Sequence, residues 1–319
     1  MLHVLPHAGG GGETYVKALA AIEGYRAERI TLAELPLRLR GQDLLHVHGE
    51  GAAALCLPFL GLRPSVVTLH GLHLLRRVEG MARTAAAANL RLILQAAART
   101  LCVSQAEMTD LVEAVGAEAA RRAIVILNGV ETTTPPDAAE KAEARKRLSL
   151  PEEAVVAVCV GALDVVKQPQ VAAQAARQAA ITLLLAGEGP LRAGLESAGG
   201  GVRLLGKLDD VRPALAAADF FVLPSRREGL SFALLEAMAL GLPCVVSDAP
   251  GNPEAAGDAG IVVARDDVAG FAAAFTRLRD PALRAALGAR ARERAQSHFR
   301  ADEMRRRTRE VYEAVLRGG

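Results

Sequence analysis

The chain has 319 residues, of which 51% are hydrophobic and 23% charged, with a formal net charge of +2 at pH 7. This composition excludes a disordered or fibrous protein, and the length predicts two domains or one large one. Aromatic residues make up only 3% of the chain and the charge is nearly balanced, so base-stacking nucleic-acid modules and wholly cationic binders are disfavoured. We expect a folded protein with no nucleic-acid partner.

The first half of the chain contains six short runs of aliphatic and β-branched residues. They are continuous and do not alternate in polarity, which is typical of a parallel sheet covered on both faces. Helix-like segments separate several of them, and in one of these Tyr15, Leu19 and Ile22 form a single apolar stripe. The predicted strands are His3–Pro6, Arg29–Leu32, Leu44–Val47, Ser65–Leu69, Thr100–Ser104 and Ile124–Leu127.

A polar segment with two prolines, Glu131–Asp137, predicts a linker, and the strand pattern repeats after it. The repetition predicts two α/β domains, each a doubly wound parallel sheet, over residues 1–135 and 136–300. Ligands of such sheets bind beyond the carboxyl ends of the strands, so we expect the site in a cleft between the domains. The second set of predicted strands is Val155–Val160, Ile181–Ala186, Val202–Leu205, Phe220–Leu223, Cys244–Ser247 and Gly260–Val263.

The first residues, the length of the apolar runs and the cysteines indicate the cellular location of the protein. The first residues read as a strand and lack the charged-then-apolar order of a signal peptide, and no uncharged apolar run reaches the roughly 18 residues of a membrane span. The four cysteines are widely spaced within or beside apolar runs, which predicts buried free thiols. We expect a cytoplasmic protein, with peripheral attachment to the inner face of a membrane left open.

Four glycines, Gly9–Gly12, follow the first predicted strand and precede a helix. Backbone amides and the helix dipole can hold a phosphate at such a place. Because Thr14 stands where a GxGxxG motif would have its last glycine, and because no GxxxxGK[ST] occurs, dinucleotide dehydrogenases and P-loop proteins lose support. A flexible turn without a ligand is the alternative interpretation.

The most informative segment is residues 220–243. A buried strand is predicted to end at Pro224, and a loop then carries Glu228, Gly229 and Leu230. Ser231 is a favourable N-cap for a helix over Phe232–Leu240. The free backbone amides at the start of that helix favour an anion in the loop.

Two carboxylates flank that anion position. Helical side chains lean towards the N-terminus, so Glu236 can reach the pocket that Glu228 borders from the loop. An ionised carboxylate only accepts hydrogen bonds and therefore suits sugar hydroxyls on either side of a diphosphate. The pair predicts a sugar-nucleotide site; the alternative is two solvated helix charges.

These residues resemble the retaining glycosyltransferases of family 4, whose GT-B architecture has two Rossmann-like domains facing a cleft. The segment from Pro224 to Pro243 is similar to the family's Glu-x7-Glu block, with Glu228 and Glu236 at its ends. Residues 301–319 resemble the C-terminal helix that crosses back to the first domain. Other segments that resemble family motifs are Gly10–Glu13, Asp43–His48, Val66–Gly71, Val103–Ser104, Asn128–Val130, Gly187–Pro190, Leu205–Val211, Gly251–Glu254 and Val311–Val315.

The resemblance implies a retaining hexosyltransferase that uses a nucleotide diphospho-sugar, UDP-linked in preference to GDP-linked, with no metal or other cofactor. It implies an acceptor hydroxyl on a lipid-linked or cell-envelope polysaccharide glycan. The catalytic residues it implies are His70 beside the donor sugar and acceptor, Lys167 at the leaving diphosphate and Glu228 at the donor sugar. The implied donor-binding residues are Gly11, Gly12, Gly161, Lys167, Glu228, Gly229, Leu230, Ser231 and Glu236.

One position departs from the family's pattern. The loop after the first strand of the second domain usually carries Gly-Arg-Leu-x-x-x-Lys, whereas this chain has Ala162 in place of the Arg and keeps Lys167. Loss of a fixed cation beside the leaving diphosphate costs on the order of several kcal/mol of transition-state stabilisation. Arg226 or Arg227 is a candidate to compensate. The alternatives are a non-catalytic glycan-binding or scaffold subunit and a sugar-nucleotide epimerase or hydrolase on the same fold.

Two further groups of residues each have a functional and a structural interpretation. His46 and His48 share one face of a predicted strand at a spacing that suits a metal, but no third ligand is fixed, so we expect no metal site. The arginines of residues 76–99 lie among apolar residues, as in an interfacial helix on anionic lipid or in a solvated helix face.

Overall fold

The computed structural model describes residues 1–5, 11–197 and 200–318. These residues form two compact units. The first unit contains residues 1–129, 228–230 and 301–319, and the second contains residues 130–227 and 231–300. Residues 130–135, which we assigned to the first domain, group with the second unit because Val130 pairs with Arg300 and donates its amide to the Phe299 carbonyl at 2.8 Å.

The sheet of the first unit has six parallel strands in the order β2-β1-β3-β4-β5-β6. Its strands are β1 (Leu2–Leu5), β2 (Glu28–Thr31), β3 (Leu45–His48), β4 (Ser65–Thr68), β5 (Arg99–Cys102) and β6 (Ala123–Val125). Its helices are α1 (Gly11–Leu19), α2 (Leu35–Arg38), α3 (Glu50–Leu60), α4 (Gly80–Ala96), α5 (Gln105–Val115), α6 (Ala117–Ala120) and, from the end of the chain, α15 (Ala301–Leu316). A 3-10 turn covers Leu75–Arg77.

The sheet of the second unit also has six parallel strands, in the order β12-β11-β10-β7-β8-β9. Its strands are β7 (Val156–Val160), β8 (Thr182–Ala186), β9 (Val202–Gly206), β10 (Phe220–Leu223), β11 (Cys244–Ser247) and β12 (Gly260–Val263). Its helices are α7 (Ala138–Arg147), α8 (Pro169–Gln178), α9 (Arg192–Ser197), α10 (Arg212–Ala217), α11 (Phe232–Ala239), α12 (Gly251–Ala256), α13 (Val268–Arg277) and α14 (Pro281–His298).

The predicted fold class is confirmed: all twelve apolar runs are strands of two parallel sheets, with ends within two residues of the prediction. The stripe of Tyr15, Leu19 and Ile22 is buried in the first unit. The four cysteines are buried free thiols, as predicted. Among the described residues, no helix combines the length and the apolar character needed to cross a bilayer.

Candidate functional site

The second sheet reverses its strand order between β7 and β10. From β7 the chain continues outward through β8 and β9, and then returns to the other side to form β10, β11 and β12. A crevice forms beyond the carboxyl ends of the two central strands of such a sheet, and ligands bind there. The loops at these ends are residues 161–168 after β7 and residues 224–231 after β10. They contain the predicted site residues Gly161, Lys167 and Glu228–Ser231.

The loop after β7 is packed against the loop after β8. The Leu163 amide donates to the Glu188 carbonyl at 2.9 Å. A Cβ on Gly187 would lie 1.8 Å from the Gly161 carbonyl oxygen, and one on Gly189 would lie 2.5 Å from the Leu163 carbonyl oxygen. Only glycine allows so close an approach, which explains both glycines of the Gly187–Pro190 motif.

Lys167 comes from a turn that is fixed by a neighbouring side chain. The Asp164 carboxylate accepts hydrogen bonds from the amides of Val166 at 2.9 Å and Lys167 at 2.8 Å. The Lys167 methylenes lie 3.6 Å from the position of a Cβ on Gly161. Lys167 is half-buried, whereas Ala162 at the tip of the same loop is exposed.

The two loops of the second unit are joined through Arg226. Its amide donates to the Val166 carbonyl at 2.8 Å. Its guanidinium contacts the Asp266 carboxylate, with Nη2 at 2.9 Å and Nε at 3.0 Å, and both side chains are about half exposed. The Arg226 charge is therefore already paired with Asp266, which weakens Arg226 as a substitute for the arginine missing at position 162.

Helix α11 positions Glu236. The Ser231 hydroxyl accepts from the Leu234 amide at 3.5 Å, which confirms the predicted N-cap. Glu236 follows one turn later and is half-buried. Burial, and secondarily the negative charge of Asp210, raises the pKa of Glu236 to about 7. Its carboxylate has no hydrogen-bond donor in the described part of the chain, which makes it a buried acceptor suited to ligand hydroxyls.

In the first unit, α1 begins at Gly11, which is the first residue of the second described segment. A Cβ on Gly12 would lie 3.3 Å from Leu5 Cδ2, so the helix start packs closely on β1. The sequence prediction for Gly9 and Gly10 falls outside the described residues.

His70 lies in a tight turn after β4. Residues His70, Gly71 and Leu72 all have positive φ, at 61°, 113° and 48°. Left-handed backbone at non-glycine residues is sparsely populated and persists only where the surroundings hold it. The Tyr15 ring packs edge-on against the His70 imidazole, with the centroids 4.8 Å apart. This segment, residues 70–72, is called the His70 turn below.

A buried carboxylate that the sequence analysis missed holds the His70 turn. Glu107 is 0% exposed and accepts hydrogen bonds from the amides of Gly71 and of Val103, the latter at 2.7 Å. Burial raises the pKa of Glu107 to about 7. The Ser-x-x-Glu spacing from Ser104, whose hydroxyl caps α5, is a capping-box signal that would have drawn attention to this residue.

Residues 228–230 pack on the His70 turn. The Arg76 guanidinium donates to the carbonyls of Gly71 at 2.8 Å and Glu228 at 2.7 Å. A Cβ on Gly229 would lie 3.0 Å from the backbone of Gly71, and the Asn128 amide donates to the Leu230 carbonyl at 2.7 Å. The structure thus brings His70 together with the Glu228–Leu230 segment, and Glu228 is buried there.

A cluster of buried histidines lies behind the His70 turn. His46 contacts the Tyr312 hydroxyl at 2.6 Å and the Thr68 hydroxyl at 2.7 Å. His3 contributes a third imidazole to the pair that we noted on β3, and the ligand atoms of His3, His46 and His48 lie within 4.8 Å of one another. The sequence could not supply His3 as a partner, because the neighbouring positions of β1 and β3 are set by strand pairing.

Two family models match the chain. A model described as Glycosyltransferase Family 4 matches residues 17–134, and one described as Glycosyl transferases group 1 matches residues 154–280. The second match includes the loops after β7 and β10. The two matches together cover most of both units.

Curated relatives are similar over part of their length. A D-inositol 3-phosphate glycosyltransferase of Kineococcus radiotolerans is 31% identical over 238 residues, which are 64% of this chain and 54% of the relative. A GDP-mannose-dependent monoacylated alpha-(1-6)-phosphatidylinositol monomannoside mannosyltransferase of Corynebacterium glutamicum is 33% identical over 193 residues, 53% of this chain and 50% of the relative. This chain thus spans about half the length of these two relatives.

A solved structure shares the fold over nearly the whole chain. The crystal structure of Anabaena HepE in complex with UDP and glucose matches with a TM-score of 0.83 and 18% identity, and the match covers 98% of this chain and 99% of that chain. At this level of identity the likeness shows the fold alone. The fold is GT-B, as the resemblance implied.

Proposed function

The chain belongs to glycosyltransferase family 4, and from this premise we propose that it transfers a sugar from a nucleotide diphospho-sugar to an acceptor hydroxyl with retention of anomeric configuration. One observation carries the proposal: the crevice at the switch point of the second sheet has a cationic side chain, Lys167, on one loop, and the half-buried acceptor Glu236 follows the other. A diphosphate and a ribose diol need these two kinds of group.

Glu236 is assigned to the ribose hydroxyls of the nucleotide. The half-buried carboxylate has no hydrogen-bond donor among the described residues, and two hydroxyl groups would supply such donors. The amides of Gly229, Leu230 and Ser231 and the Glu228 carboxylate are assigned to the donor sugar. The start of α1 at Gly11 and Gly12 is assigned to the pyrophosphate, since a helix N-terminus favours an anion.

Lys167 is assigned to the leaving diphosphate. In the proposed step, the bond from the anomeric carbon to the diphosphate oxygen breaks, and the acceptor oxygen bonds to that carbon on the same face. The acceptor proton passes to the departing diphosphate. Lys167 stabilises the charge that develops there without a metal ion, since a fixed cation aimed at a developing charge needs no reorganisation. His70 is assigned to the sugar and acceptor side.

We further propose a UDP-linked donor, with a GDP-linked donor as the second candidate. The HepE structure contains UDP and glucose, which supports the first, and the Corynebacterium relative is GDP-mannose-dependent, which supports the second. That relative is a phosphatidylinositol monomannoside mannosyltransferase, which supports a lipid-linked or cell-envelope glycan as the acceptor.

Peripheral membrane contact is part of the acceptor proposal. Met81 is 90% exposed and Leu92 is 52% exposed on α4, beside the exposed arginines Arg83 and Arg91. Exposed apolar side chains flanked by arginines suit the surface of an anionic bilayer. Sedimentation with vesicles of anionic and of neutral lipid tests this part separately.

The first experiment is calorimetric titration of the purified chain with UDP, GDP and ADP, followed by the matching sugar donors with detection of nucleotide release. We expect one nucleotide to bind at micromolar concentration and Glu236→Ala to abolish that binding. Glu153→Ala, at an exposed carboxylate of the same unit, is the matched control. Absence of binding by every nucleotide would refute the donor assignment.

A non-catalytic glycan-binding subunit is the second candidate function, and the exposed Ala162 is the observation that favours it. The exposed position accommodates a longer side chain, so Ala162→Arg restores the family's cation without disturbing the core. A large gain in turnover would identify a weakened enzyme. Nucleotide binding without turnover in both proteins would favour the non-catalytic subunit.

A further inference from the structure

Three histidines of the first unit form a row that leads from the sheet interior to the His70 turn. His3 Nδ1 lies 2.9 Å from His48 Nε2, and His48 Nδ1 lies 3.1 Å from His70 Nε2. His3 and His48 are fully buried, whereas His70 is half-buried. The row, defined as His3, His48 and His70, therefore has one end in the core of the first unit and the other at the His70 turn.

Every ring in the row is neutral at pH 7. Burial lowers the pKa of His3 and of His70 to about 3 and lowers the pKa of His48 well below its usual value. A neutral imidazole has one N–H donor and one lone pair. Each contact in the row therefore needs an N–H from one ring and a lone pair from the next, and His48 must donate at one nitrogen and accept at the other.

Only two proton arrangements satisfy both contacts. In the first, each ring has its proton on Nδ1, so that His3 donates to His48 and His48 donates to His70. In the second, each ring has its proton on Nε2 and the direction reverses, which places an N–H on His3 Nε2. That atom is buried and has no hydrogen-bond partner among the described residues. Buried N–H groups without a partner are rarer than buried acceptors without one, so the first arrangement is favoured.

We propose that the row holds His70 as the Nδ1–H tautomer and so presents a neutral hydrogen-bond donor at the His70 turn. Within the described part of the chain His70 Nδ1 makes no hydrogen bond, which leaves this N–H for an oxygen of the sugar or of the acceptor. His48 and His3 are positioning residues, because they act through His70. A protonated Nδ1 cannot accept the acceptor's proton, which fits its passage to the diphosphate.

A metal ion bound by His3, His46 and His48 is the competing interpretation of this cluster. Both ring nitrogens of His46 already contact hydroxyl groups, and both of His48 contact histidines of the row. A metal would have to displace these hydrogen bonds. The hydrogen-bonded row satisfies the polar atoms without any added ligand, and we therefore favour it.

The tautomer is tested by long-range 1H–15N correlation spectra of the full chain, labelled with 15N-histidine, at pH 7. We expect His48 and His70 to be protonated on Nδ1 and unprotonated on Nε2, with no titration between pH 5 and 8. Single substitutions of the histidines assign the signals. A protonated Nε2 on His70, a titrating His70 or metal-coordinated imidazoles would overturn the proposal, whatever the activity of the protein.

The positioning role rests on the proposed function and is tested by a pair of variants. His48→Leu removes the donor to His70, whereas in His48→Asn the amide nitrogen replaces Nδ1. With the preferred sugar nucleotide, we expect His48→Leu to lower kcat about tenfold, the worth of one hydrogen bond, with little change in donor affinity. His48→Asn should stay within about threefold of the wild type and keep the His70 spectrum.

Each outcome of this pair is decisive. Equal losses in His48→Leu and His48→Asn would show that His48 acts by packing and would overturn the positioning role. If His48→Leu does not fold, the turnover of His48→Asn still tests the positioning role, and the wild-type spectrum still tests the tautomer. A wild-type protein with the expected tautomer but no transferase activity would refute the proposed function and leave the tautomer standing.

Discussion

Glu107 in the first unit and Glu236 in the second both have a raised pKa, but they differ in their hydrogen-bond partners. Burial raises the pKa of each carboxyl to about 7. Glu107 accepts backbone hydrogen bonds from Gly71 and Val103, so its carboxylate oxygens hold the backbone of the His70 turn. Glu236 has no such donor among the described residues. A perturbed pKa by itself therefore does not separate a structural carboxylate from a ligand-binding one, whereas the hydrogen-bond partners do.

The contrast extends to other candidate residues of the two units. In the first, the buried polar groups Glu50, Glu107 and His46 are engaged with backbone amides or hydroxyls of the same unit. In the second, Lys167 and Glu236 are only half-buried, beside exposed positions such as Ala162. We expect substitutions in the first group to change folding stability and those in the second to change binding and turnover.

The largest expected effect is on turnover at Lys167. Lys167→Ala should lower kcat about a hundredfold to a thousandfold, because a fixed positive charge beside the leaving diphosphate is lost. The free energy of unfolding should change by less than about 1 kcal/mol. Steady-state kinetics and thermal melting measure the two effects, and Lys167→Arg, which keeps the charge, is the control. A large loss of stability with normal turnover would break the contrast between the units.

The next effect is on stability at Glu107. Glu107→Leu should lower the free energy of unfolding by about 3 kcal/mol, because two buried amides lose their acceptor. Hydrogen exchange at Gly71 and Val103 should accelerate, while nucleotide affinity stays unchanged. Glu113→Leu, at an exposed position of the same helix, is the control. Unchanged exchange at Gly71 would show that another group holds the His70 turn.

The smallest predicted effect is the pH dependence of binding through Glu236. The folded pKa of about 7 exceeds the usual value of 4.5, so the stability linked to this group is present below pH 4.5 and is lost as the pH rises through 7. Donor hydroxyls favour the ionised form, so affinity changes in the opposite sense. Affinity for the sugar nucleotide should rise about tenfold between pH 6 and pH 8.

Calorimetry with the intact sugar nucleotide measures this dependence, because its phosphate groups do not titrate in that range. Glu236→Gln should bind more weakly and without the pH dependence. A dependence that persists in Glu236→Gln would assign it to another group, and the buried carboxyls Glu50 and Glu107 are the next to test.

Sequence reasoning located the strands and the N-cap of α11 because these depend on local patterns. Continuous aliphatic runs showed the twelve strands, since a strand buried on both faces has no polar side to alternate with. Ser231 was identifiable as a helix cap from the residues around it, and the structure confirms it. The roles given to Lys167, Glu228 and Glu236 remain predictions.

The sequence by itself determined the two parallel sheets, the buried thiols and the Glu-x7-Glu segment. Only the tertiary structure decided that His3 joins His48 and His70, that Glu107 holds the His70 turn, and that Arg226 is paired with Asp266. Each of these contacts joins residues far apart in the chain. The partner of a buried polar group is set by strand order and register, and these follow from the packing of the whole sheet, not from any local run of residues.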